Sequence, residues 1–196
     1  MKVSKQKAAE NRARIVTEAA RLFREKGLSG IGVDALTKAA GLTHGSLYSR
    51  FDSKEQLMAE ALAEALKRSA VTLYPPDAAT TPGAFETVIA RYLSPTHRDT
   101  PGTGCALAAV GCEVARHGPA ARQVLTEGLW NSAGRLSAVL PDQARPVDAK
   151  TDEALAVLAS MVGALILARA VDDSSLSDRI LNASQRRIID TATQKP

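Results

Sequence analysis

Aromatic residues make up only 4% of the 196-residue chain, and cysteine occurs twice. With so few rings, the core must be built from Ala, Leu, Val and Ile, and the hydrophobic share of 45% is large enough for one. The leading pair are strong helix formers, which points to an all-α fold. Two cysteines are too few for a disulfide framework and fit a reducing compartment. The start, Met1-Lys2-Val3-Ser4-Lys5, has no apolar signal region. The longest apolar stretch, around 155–168, is broken by Ser160 and Gly163 and reads as too short to span a bilayer. A cytoplasmic protein is therefore expected. Also missing are clustered carboxylates or cysteines, a nucleophile beside a base, and a glycine-rich phosphate cradle. No metal, no cofactor and no enzyme activity are expected. Neither strand-like alternation nor an internal repeat is present.

Charge is abundant but unevenly placed. The net charge is +4, yet residues 1–54 carry +6 and residues 55–196 carry −2. A basic excess confined to the first quarter of a chain is the footprint of a nucleic-acid-binding module, or of a solvated basic helix.

Periodicity predicts a first helix over about Lys7–Lys26, with Ile15, Ala19, Leu22 and Phe23 on one stripe. Arg12, Arg14, Arg21 and Arg24 fall largely off it. Gly27 supplies the stop. A short second helix over about Val33–Ala40 runs into the Gly41-Leu42 turn. Thr43 is placed to cap a third helix, in which Leu47 and Phe51 face inward. Ser53 followed by Gln56 is a capping box, so a fourth helix begins near Lys54 and runs to about Leu73. Further helices are expected at about 84–93, 105–116, 119–140, 149–172 and 176–192. Loops are expected at 75–83 and 94–104, both rich in Pro or Gly.

The segment from Gly32 to Phe51 reads as a helix-turn-helix. If Leu47 and Phe51 point inward, Gly45, Ser46 and Ser49 point outward, with His44 and Tyr48 on the flanks. His44 and Ser46 could then reach base edges in the major groove. Tyr48, Arg50 and Lys54 suit phosphate oxygens. Gly45 stands inside a short helix at a cost of about 1 kcal/mol relative to alanine. A bare backbone there allows close approach to DNA, or else close helix packing. The expected DNA-binding set is Thr43, His44, Gly45, Ser46, Tyr48, Ser49, Arg50 and Lys54.

The run from Ala40 to Leu57, with Ala19 to Gly27 upstream, resembles the TetR family of regulators over about residues 10–60. The resemblance implies a three-helix helix-turn-helix domain at 1–54, followed by a helical bundle at 55–196 for ligand sensing and dimerisation. It also implies a homodimer that binds a palindromic operator on double-stranded DNA, acts as a repressor, and is released by a small-molecule inducer. In that pattern the position of His44 reads bases, while those of Tyr48 and Lys54 touch phosphate. One departure is Gly32, which stands where the family usually has a Thr or Ser cap. More weakly, 104–109 and 163–170 resemble the body of a TetR subgroup.

Within the body, Ala156, Ala159, Ser160, Gly163 and Ala164 gather small residues on one region of a helix, and Leu176, Ile180 and Leu181 offer an apolar surface on the next. Both suit a dimer through about 149–192, or packing within one subunit. An unknown small apolar or aromatic ligand is expected near Tyr92, Cys105, Trp130 and Met161, with Phe85 close by; the same residues at helical spacing also suit plain core. Cys105 and Cys112, seven apart, would share a helix face. Cys105 is either a thiol-based sensor of oxidants and electrophiles or a buried apolar residue. His97 and His117 are placed in loops, and Arg169 in a local ion pair with Asp172 or Asp173. A different class of reading remains: a helical enzyme or adaptor without DNA binding.

Overall fold

The structure is a computed structural model that describes residues 5–41, 51–74, 81–141 and 144–193, and among these it contains helices and turns but no strand. The expected all-α class is observed. Helix α1 spans Lys5–Lys26. It buries Ile15, Ala19, Leu22 and Phe23. At its end Gly27 takes φ 80°, a left-handed value that glycine adopts without cost, while its amide bonds the Phe23 carbonyl at 2.9 Å. Helix α2 covers Val33–Ala39 behind Gly32, which gives no side-chain cap. The departure noted in the sequence thus leaves only backbone bonding at that end.

Helix α3, Lys54–Leu73, starts where Ser53 Oγ accepts the Gln56 amide at 3.0 Å. Gln56 reaches back to the Asp52 amide at 2.8 Å, one residue beyond the partner a capping box would use. Eight residues of α3 are buried, including Leu57, Ala61, Ala65 and Leu66, so the helix is central, packing against α1 on one side and against the body on the other.

The body continues with α4 (Ala84–Tyr92), α5 (Pro95–Asp99), a 3-10 turn at Pro101–Thr103, α6 (Ala106–Val114), α7 (Pro119–Ser137), α8 (Val147–Ala170) and α9 (Ser174–Thr193). The stretch 94–104 is therefore not a plain loop as expected. Proline in the first turn needs no amide partner, and Ser94 Oγ accepts the His97 amide at 3.2 Å, so a short helix forms there. Helix α8 has 24 residues, more than the roughly 20 a bilayer requires. The stretch read as too short is thus part of a longer apolar helix. It packs against α7 and α9, burying Ala154, Leu158, Met161 and Leu165 among others.

Candidate nucleic-acid interface and its coupling to the body

The N-terminal unit is positioned by hydrophobic anchors and polar ties. Leu36 and Ala40 on α2 are buried, as is Phe51, which is 2% exposed just ahead of α3. Gly41 takes φ 65° and thereby makes the turn expected after α2. Arg12 stacks over the Phe51 ring at 4.7 Å from its centroid and also pairs with Glu60 on α3. One guanidinium therefore joins α1, the residue that ends the helix-turn-helix, and α3. Arg14 bonds Asn11 at 2.8 Å, and Arg21 pairs with Glu18 and Glu25. Of the expected DNA-contacting residues, Lys54 is exposed in the first turn of α3. Thr43, His44, Gly45, Ser46, Tyr48, Ser49 and Arg50 lie outside the described residues, as does Leu47.

Two features of this unit were not expected. Arg24, read as lying off the buried stripe, is 6% exposed. Its Nη1 donates to the carbonyls of Ala65 and Gly104, at 3.3 and 3.4 Å. Loss of water, and then the nearby Arg68 charge, push its pKa below the ordinary value. The side chain is long enough to cross from α1 to the body, which an amphipathic-stripe argument cannot anticipate. The second feature is Glu113 on α6. Its Oε2 accepts the amides of Leu28 and Ser29 at 2.9 and 3.2 Å. A carboxylate of the body thus holds the two residues after the α1 stop. It was missed because the partners are 85 and 84 positions apart.

A family model described as bacterial regulatory proteins, tetR family, matches residues 15–61, the span from mid-α1 into α3. Over 57 residues the chain is 40% identical to the HTH-type transcriptional regulator AcrR of Shigella flexneri, covering 29% of this chain and 26% of that one. Over 51 residues it is 45% identical to the HTH-type transcriptional repressor KstR2 of Rhodococcus jostii (strain RHA1), covering 26% and 25%. The matched segment is thus about a quarter of the length of either relative. A crystal structure of a TetR transcriptional regulator from Chloroflexus aurantiacus J-10-FL superposes with a TM-score of 0.74 at 26% identity, over 97% of this chain and 98% of that one. Residues 15–61 thus carry the TetR-family pattern, and the described fold superposes on a solved TetR regulator.

In the body of this chain, the residues expected around a ligand are divided. Tyr92, Cys105 and Met161 are 1%, 4% and 0% exposed, and Phe85 is 2% exposed. Trp130 is instead 54% exposed on the outside of α7. Tyr92 and Cys105 are neighbours. Burial above all, and then Cys105, hold the Tyr92 phenol well above its usual pKa. Burial does the same to Tyr74. Neither phenol hydroxyl has a hydrogen-bond partner among the described residues. Cys105 is the buried, extended N-cap of α6, while Cys112 is exposed within it. Seven apart as they are, the two differ in environment: Cys105 is covered at the helix start and Cys112 is open to solvent.

His97 is also corrected from a loop residue to a buried one, 7% exposed, in α5. Its Nε2 accepts the Cys105 amide at 2.9 Å, so that nitrogen carries no proton; Nδ1 then donates to the Tyr92 carbonyl at 2.6 Å. The neutral ring bridges α4 and the start of α6. Desolvation lowers its pKa, outweighing the carbonyl bond that raises it. Arg169 does not form the expected local ion pair: it donates to the carbonyls of His97 and Arg98 at 2.7 and 3.0 Å. Asp173 instead caps α9, accepting the Leu176 amide at 3.0 Å.

Proposed function

We propose that this chain regulates transcription as a homodimer bound to a palindromic operator, acts as a repressor in the cytoplasm, and is released by a small molecule that binds in its body. The observation that carries this reading is the match across 15–61, a span that takes in the Gly41 turn, buried Phe51 and the Ser53 cap. The excess of basic charge in residues 1–54 supports duplex DNA as the partner. On this reading Thr43, His44, Gly45, Ser46, Tyr48, Ser49 and Arg50 form the groove-facing helix, Lys54 holds a phosphate, and a functional division falls near residue 54.

Support for the dimer through about 149–192 comes from α8 and α9. Ala156, Ala159 and Ser160 are exposed, a Cβ added at Gly163 meets nothing within 4 Å, and Leu167 and Leu176 are 58% and 42% exposed. Such a face, small in the middle and apolar at its edge, suits a second helix pair. Two recognition helices on one dimer would read successive major grooves about 34–36 Å apart. Release then requires the body to change their separation. Glu113 and Arg24, which tie the end of α1 and its loop to the body, lie on that route.

The test is selection of genomic fragments by the purified protein, followed by binding to the selected duplex over a range of salt. A palindromic site with affinity falling steeply as salt rises is expected. Indifference to every duplex at low ionic strength would overturn the reading and favour a helical adaptor or enzyme. Leu167→Glu should convert the dimer to a monomer in light scattering and weaken operator binding.

A further inference from the structure

Between α1, α3 and the 3-10 turn lies a cleft of about 320 Å³, lined by Arg24, Glu64, Lys67, Arg68, Val71, Thr72 and Thr103. We propose that this cleft binds a small organic oxyanion, a carboxylate or phosphate ester with a short apolar body.

The argument begins with Arg24. A guanidinium offers five N–H donors. Only Nη1 of this one is used, on two backbone carbonyls at 3.3 and 3.4 Å. Buried Nε has no partner among the described residues. Among the described residues no carboxylate hydrogen-bonds this cation, although burying a charge ordinarily demands one. Arg68 adds a second positive charge near enough to disfavour that of Arg24, an effect larger than the support it draws from either the Glu25 or the Glu64 carboxylate. Lys67, exposed on the same turn of α3, makes no ion pair among the described residues. The acid on this wall is Glu64, already engaged by Arg68 Nε. Glu25, the next acid along α1, is held by Arg21 at 2.7 Å.

Among the described residues the cleft lining therefore has three cations and one carboxylate, already engaged by Arg68. An oxyanion would bring the missing charge and accept hydrogen bonds from guanidinium and ammonium together. Val71, 60% exposed, gives its body an apolar wall, and the hydroxyls of Thr72 and Thr103 stand at the rim. The helix-turn-helix is not part of this cleft, so the site is distinct from the proposed DNA contacts.

Isothermal titration of the full-length protein near neutral pH and at fixed ionic strength tests this, with sodium benzoate and inorganic phosphate as separate probes against a sodium chloride background. Saturable binding of at least one probe is expected. Lys67→Ala should weaken it about tenfold, the scale of one charge-assisted hydrogen bond. Arg122→Ala, an exposed cation on α7, should leave it unchanged. Tighter benzoate would identify a carboxylate ligand, and tighter phosphate a phosphate ester. No saturable binding of either probe, an unaffected Lys67→Ala, or equal weakening by Arg122→Ala would each overturn the proposal.

Discussion

Replacing Glu113 with alanine should loosen the joint between the DNA-binding unit and the body. Its carboxylate is the acceptor for two amides, at 2.9 Å from Leu28 and 3.2 Å from Ser29. The two are not equivalent. Ser29 is exposed, so water replaces the carboxylate there at small cost. Leu28 is 0% exposed, and its amide loses an acceptor in a place water reaches poorly. An unsatisfied buried donor costs about 1–3 kcal/mol, and with the smaller Ser29 share we expect a loss of about 2 kcal/mol. That is a sizeable part of the roughly 5–15 kcal/mol by which a domain is stable. Glu113→Gln keeps a neutral oxygen acceptor and should cost about half as much. Urea unfolding followed by circular dichroism, extrapolated to water, measures both losses. A loss below about 0.5 kcal/mol for alanine, or identical losses for the two variants, would refute the view that this carboxylate holds the joint through its amide bonds.

Two glycines of α7 should behave oppositely. A Cβ at Gly128 would meet Leu66 Cδ1, Cδ2 and Cγ at 2.6, 2.8 and 3.0 Å, so Gly128→Ala should destabilise by about 1 kcal/mol after the gain in helix propensity. A Cβ at Gly134 meets nothing within 4 Å, and Gly134→Ala should stabilise by about 0.5–1 kcal/mol; thermal melts of both distinguish steric from propensity effects. His97 has a folded pKa below 6.5, so the unfolded chain takes up its proton first as pH falls. Stability from this residue is full above about 6.5 and declines below it, and His97→Gln should flatten that part of the urea-midpoint profile. Lys54→Ala should reduce affinity on all duplexes alike and flatten the salt dependence of binding by about one phosphate contact, read by fluorescence anisotropy.

Local signals carried most of the secondary structure. The Ile15–Phe23 stripe, the Gly27 stop, the Gly41 turn and the Ser53 cap are decided by residues within one or two turns of one another, and each forms as expected. Ser94 and Pro95 carried a local signal for α5 as well, but it was hidden among the Pro and Gly residues around it. The family resemblance was legible for the same reason, since its marks are contiguous over residues 15–61. Tertiary packing decided what no local rule could. Periodicity placed Arg24 on a polar face, yet the body covers it and its guanidinium ends on Ala65 and Gly104. It placed Trp130 and Tyr92 alike as apolar candidates, yet one faces outward and the other lies in the core. Glu113, His97 and Arg169 gained their roles from backbone groups of other elements, and main-chain amides and carbonyls leave no mark in the sequence of side chains that will meet them.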